Sequence, residues 1–200
     1  FNGMLSSFSS GSFPAGDSTS IDTVMIAPFW GDVDTRNLTS GLVYYKQTPT
    51  ALIVRWNGVG YYSQMADKLN DFQLIITDGT DSIIPNGNNV SFCYGDIQWT
   101  TGMASMGVNG FGGIPATVGA NKGDNIDYFQ IGRFSQPGLG YDGPYNADDS
   151  VDVLDNMQFV FNTCSSGNSA PFTNNNVCDT TYVSPFQIAS GIMFVYAPEI

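Results

Sequence analysis

Short alternating runs of β-branched and aromatic residues, cut by Gly, Pro and Asn, leave this chain few folds to adopt. Such runs occupy residues 22–29, 41–46, 51–56, 59–62, 70–78, 89–94, 95–99, 128–131, 156–162 and 191–196. Val, Ile, Tyr, Phe and Trp suit a pleated, half-buried surface, and the residues between them supply turns. No amphipathic helical period persists beyond two turns. Glu199 is the only glutamate, and every other acid is aspartate, a turn former that is poor inside helices. The pattern predicts an all-β fold: an antiparallel β-sandwich-like domain with long Gly/Asn-rich loops. No fixed-period repeat interrupts it.

Two hundred residues suit one good-sized domain, and a 42% hydrophobic fraction is enough for a core. Charged residues make up 12% of the chain, about half the usual share, which with 14% aromatics fits a β-rich extracellular module. The balance is 18 acids to 6 bases, net −12, which repels nucleic acid and anionic membranes. No apolar window of about 18 residues is present, so no membrane insertion is expected. The chain opens on Phe1 rather than Met and reads as a mature or trimmed piece.

Chemistry is sparse. Histidine is absent, which removes Ser-His-Asp and Cys-His catalysis and the usual zinc sites. The Gly-rich segment 102–125 reads as loop or as tight backbone approaches, with no P-loop or strand-Gly-helix context for a nucleotide. The acids at residues 32 and 34 are the most suggestive feature. With Val33 pointing inward on an extended chain, Asp32 and Asp34 share the opposite face. Such a pair can ligate Ca²⁺, form a hydrolase's acid pair, or cap backbone N–H groups with Arg36 or Arg55 as a partner. No DxDxDG loop accompanies it, and the structural corner is preferred. The Asp-rich loop at 138–155 reads as a solvated loop with some cation character. The aromatics Trp30, Trp56, Trp99, Tyr44, Tyr45, Tyr61 and Tyr62 form either a glycan platform or core packing, and strand spacing favours the core.

Three cysteines are present. Cys164 and Cys178 flank a polar loop that a short disulfide can close, which leaves Cys93 buried and unpaired or joined to another chain. Asn37-Leu38-Thr39 and Asn89-Val90-Ser91 are N-glycosylation sequons beside predicted turns. The run Gly191, Ile192, Met193, Phe194, Val195 and Tyr196 is an apolar strand able to pair with a neighbouring subunit's sheet edge.

Three long motifs in order carry a family resemblance: residues 27–36 (APFWGDVDTR), 72–79 (FQLIITDG) and 94–102 (YGDIQWTTG). Together with 41–45 and 54–62 they make residues 1–162 resemble a nidogen-like extracellular domain. Proteins with such domains include basement-membrane nidogens, tectorins of the inner-ear matrix and membrane mucins. The resemblance implies a non-catalytic matrix or adhesion module, secreted or at the cell surface. Its partners are then other copies of itself, matrix proteins or glycans, with no cofactor beyond possible Ca²⁺. The sequence departs from the family pattern at Cys93 and in residues 163–200, which are expected to be a Cys-looped extension ending in a strand. The start also looks truncated.

Overall fold

The computed structural model describes residues 25–85, 88–121, 128–144, 146, 148–162 and 172–173. Two sheets face each other. The six-stranded sheet is ordered β10-β9-β5-β4-β3-β2, and the four-stranded sheet β1-β6-β7-β8. The strands are β1 Met25–Trp30, β2 Leu42–Gln47, β3 Ala51–Tyr61, β4 Met65–Thr77, β5 Val90–Ile97, β6 Ala116–Asn121, β7 Tyr128–Gln136, β8 Asp149–Ser150, β9 Gln158–Phe161 and β10 Phe172–Thr173. All pairings are antiparallel except β7 with β8, which is parallel. The all-β sandwich expected from the alternating runs is therefore present.

Strand alternation builds the core. Trp56 of β3 lies opposite Phe72 of β4, and Phe72 opposite Tyr94 of β5, so one row of aromatics crosses the larger sheet. The Trp56 and Phe72 rings stack at 4.7 Å. Phe29 of β1 reaches across from the other sheet to Phe72 and to Trp99, both at 5.5 Å, and Trp99 continues to Tyr61 at 5.4 Å. Trp56, Tyr61 and Trp99 are thus buried core rather than a glycan platform. The Trp99 indole N–H donates to the Val59 carbonyl at 3.0 Å, so burial leaves its polar edge satisfied.

Three sequence expectations need correction. Residues 51–56 and 59–61 belong to one long strand whose pairing shifts register on either side of Val59 rather than breaking. The Gly-rich stretch is not all loop, because Ala116, Val118 and Ala120 alternate inward and make β6, the centre of the smaller sheet. Small side chains let a strand lie close to the facing layer, and Gly-richness hid that alternation. Cys93 carries a disulfide and is not a free thiol. It sits on the outer face of the larger sheet with Ile53, Ile75, Ile84 and Val160, away from the inter-sheet core. Cys164, Cys178 and the strand expected at 191–196 lie outside the described residues. β10, from the expected extension, adds to the edge of the larger sheet beside β9.

Replacing Phe72 with Ala is expected to cost about 3–5 kcal/mol, because it opens a cavity at the meeting point of both sheets. Urea unfolding followed by tryptophan fluorescence measures it, and a loss below about 1 kcal/mol would show that the aromatic row does not hold the sheets together.

Candidate functional site

The acidic corner at residues 31–36 follows directly from β1 and leads away from the smaller sheet. Val33 points into the core and bridges Tyr61 of β3. Backbone bonds tie this turn to the end of the long hairpin: Asp34 N–H donates to Gly60 C=O at 3.0 Å, and Tyr62 N–H to Asp32 C=O at 2.9 Å. The local geometry therefore brings both acids against the 60–64 turn, and both are only 2% exposed.

Buried carboxylates require hydrogen-bond donors. Asp32 finds them 73 residues away. Ser105 N–H donates to Oδ2 at 2.8 Å and Ser105 Oγ–H to Oδ1 at 2.8 Å. Ser105 lies in the short 3-10 turn Met103–Ser105, whose first N–H donates to the Tyr62 carbonyl at 2.8 Å. Gly102 makes this approach possible, since a Cβ there would sit 2.7 Å from the Asp32 Cβ and 2.8 Å from the Tyr62 carbonyl oxygen. Asp34 is served by donors alone. Its Oδ1 accepts the Arg36 backbone N–H at 3.0 Å and Arg36 Nε–H at 2.8 Å. Its Oδ2 accepts Arg36 Nη2–H at 2.5 Å and the Gln64 N–H at 2.9 Å. The Arg36 guanidinium also lies 5.5 Å over the Tyr62 ring. Arg36 is therefore the partner of the corner, while Arg55 pairs with Asp71.

The two carboxylates are tuned in opposite directions. Burial raises Asp32 above the ordinary carboxylate range, against the lowering effect of the Ser105 bonds. Burial would raise Asp34 too, but the Arg36 and Gln64 hydrogen bonds and the Arg36 charge outweigh it and hold Asp34 below the ordinary range. Asp34 thus contributes stability that is present above its unfolded value and lost as pH falls through its depressed one. Asp32 does the reverse, contributing below its unfolded value and losing it as pH rises through the raised one. No third acid or cysteine joins this pair in a group able to hold a metal, among the described residues.

One further polar residue organises the neighbouring strand and was not singled out by its sequence context. Asn70 is fully buried. Its Oδ1 accepts the N–H groups of Gln98 and Trp99 at 2.8 and 3.0 Å, and its Nδ2–H donates to the Trp99 carbonyl at 2.9 Å. It holds the chain leaving β5 where the β4–β5 register shifts, and so positions Trp99 and the loop that delivers Ser105.

The two sequons differ. Asn37 lies in an exposed turn next to the corner, with Leu38 fully exposed. Its Oδ1 accepts Thr39 N–H at 2.9 Å and Thr39 Oγ1–H at 2.8 Å, and its Nδ2–H donates to the Gln64 carbonyl at 2.7 Å. Asn89 enters β5, and its sequon serine, Ser91, is fully buried and accepts Gln158 Nε2–H at 2.9 Å.

The nidogen-like domain family matches residues 46–139. Alpha-tectorins of Gallus gallus, Mus musculus and Homo sapiens are each 31% identical over 160 aligned residues, covering 66% of this chain. The chain spans 7% of the length of each of these relatives. No solved structure matches at a significant level. The resemblance read from the motifs therefore holds, and with it the extracellular placement. The family match takes in the 60–64 turn, Asn70 and Ser105, while Asp32 and Asp34 lie upstream of it. Among the described residues, no helix is long and apolar enough to cross a membrane.

Asn substitutions separate the two acids. Asp32→Asn is expected to stay within about 1 kcal/mol of the native chain, because the Ser105 hydroxyl can turn and accept from the new amide. Asp34→Asn sets an amide N–H₂ against two of the four donors and is expected to cost about 2–4 kcal/mol. Urea denaturation at pH 7 measures both, and equal losses would show that the corner does not work through this donor pattern.

Proposed function

We propose, for a chain that carries a nidogen-like domain, a non-catalytic role as an extracellular adhesion or matrix module. In this reading it associates with other copies of itself or with matrix proteins. The observation that carries it is the family match over residues 46–139, joined by the likeness to alpha-tectorins. Because the chain spans 7% of those relatives, the proposal concerns one module and not the activity of the whole relatives.

The corner supports a non-catalytic role. All four carboxylate oxygens of Asp32 and Asp34 accept hydrogen bonds from the chain's own donors. An acid pair for glycoside hydrolysis has to aim at substrate and water instead. Here the acids join the 31–36, 60–64 and 102–107 segments into one rigid end. The surface of that end carries Leu38, Met65, Met103, Met106 and Val108 exposed. A rigid scaffold presenting side chains from several loops suits recognition of a partner.

In the same reading, Asn37 is the glycosylated sequon and Asn89 is not. Leu38 beside Asn37 is fully exposed, whereas Ser91 and Val90 are interior. For the secreted protein, peptide N-glycosidase is expected to shift the mass of the native chain and of Asn89→Gln but not of Asn37→Gln; a shift that survives in Asn37→Gln overturns the assignment. Sedimentation velocity of the secreted chain over the micromolar range, with and without EDTA, tests self-association. A sedimentation coefficient that rises with concentration in both buffers supports it. An unchanging monomer rules it out, and growth lost with EDTA points to a Ca²⁺-dependent module instead.

A further inference from the structure

A two-layer sandwich leaves the outer face of each sheet to solvent, yet the larger sheet here is buried on both faces through its centre. Residues paired across neighbouring strands share a face. Behind the aromatic row, Tyr44 pairs with Arg55, Arg55 with Gln73, Gln73 with Cys93, and Cys93 with Gln158, and the β10 backbone closes this row at Thr173. Two residues further along, Ile53 pairs with Ile75, Ile75 with Ser91, and Ser91 with Val160. Gln73, Cys93 and Gln158 of the first row are buried, as are all four of the second. Among the described residues, Ile84, with Ile83 beside it, is the apolar cover in this cluster. Two side chains cover a small part of a face that crosses β3, β4, β5 and β9, each about 4.8 Å from the next.

Cys93 carries a disulfide, and the chain has two other cysteines, Cys164 and Cys178. The directions of the strands beside it separate them. β9 leaves the Cys93 row at Gln158 and reaches the Val90 register by Phe161, about 10 Å further on. Phe161 is still held there, its carbonyl accepting the Asn89 N–H at 3.1 Å. The three residues from Phe161 to Cys164 span at most about 10 Å, so returning to Cys93 takes a full reversal with little slack. β10 runs the other way and enters the Cys93 row at Thr173. Two strand spacings, about 10 Å, separate Thr173 from Cys93, and the five residues to Cys178 span up to about 17 Å. A disulfide bridges Cα atoms about 4.4–6.8 Å apart, so Cys178 reaches Cys93 with length left to cross β9 on its outer face.

We propose that Cys93 is bonded to Cys178, and that this bond pins residues 174–200 across the outer face of the larger sheet as a third layer. The run at 191–196 brings Ile192, Met193, Phe194 and Val195 to a face whose centre is Ile53, Ile75 and Val160. Residues 1–24 lead into β1, which belongs to the smaller sheet, so they enter from the opposite layer. The bond forms as the Cys93 and Cys178 thiols pass two electrons and two protons to a small-molecule or protein disulfide, which is reduced to two thiols. The apolar run that could pair with a neighbouring subunit is thereby turned onto its own domain. The arrangement does not depend on the adhesive reading above.

Two measurements on the intact secreted chain test it. Free thiols are blocked with N-ethylmaleimide, and the unreduced chain is digested with chymotrypsin, which cuts after Phe172 between the two candidate cysteines. A linked pair of peptides carrying Cys93 and Cys178 is expected in the mass spectrum. Cys93 linked to Cys164, or Cys164 to Cys178, overturns the proposal. Dilute hydrogen peroxide tests the layer, with the exposed Met103 and Met106 as internal references. Met193 is expected to form sulfoxide at least about tenfold more slowly than either, at every protein concentration. A Met193 rate equal to theirs overturns the layer, as does protection of Met4 in its place. Protection of Met193 that grows with concentration assigns the cover to a second copy and overturns it too.

Discussion

Two buried carboxylates are the constraint on which the open end of this sandwich depends. Hydrophobic burial is non-directional, so the aromatic row of Phe29, Trp56, Phe72 and Trp99 holds the sheets together without fixing how the loops meet. A buried carboxylate is directional and costly when unsatisfied. Asp32 reaches Ser105, and Asp34 reaches Arg36 and Gln64, so three segments distant in sequence are specified together. If one moves, a buried oxygen loses its donor. Gly102 belongs to the same constraint, since only a residue without a Cβ lets the Ser105 turn close on Asp32 and Tyr62.

How much of this was legible depends on how local each signal is. Strand alternation is local, and the runs at 41–46, 70–78, 89–94 and 156–162 became β2, β4, β5 and β9. β6 was missed because Gly119 and the small residues around it look like loop until a facing sheet is available to pack on. The parallel pairing of β8 rests on two residues, too short a stretch to carry a pattern. The corner was readable as a structural turn from residues 31–36, but its partner Ser105 was not. A contact across 73 residues leaves no spacing to detect, and only the flanking Gly102 and Gly107 hint at a tight approach. Asp149 was misread for a related reason: a run of aspartates looks solvated, and burial is decided by the strand it packs against.

The aspartates themselves explain the charge. Asp34 accepts the N–H of Arg36, Asp78 that of Thr80 at 2.9 Å and Asp81 that of Ile83 at 3.0 Å, each two residues on. That reach fits a side chain with one methylene, and this is turn chemistry. A glutamate places its carboxylate too far out for the same bond, which fits the choice of aspartate at these three turns. Three of the aspartates thus close turns between strands. Whether a given aspartate is stable as an anion depends on what faces it. Donors surround Asp34 and hold it low, whereas burial first and then the Asp142 carboxyl push Asp149 up. The same residue type therefore joins distant segments at the open end of the sandwich and clamps a loop to β7.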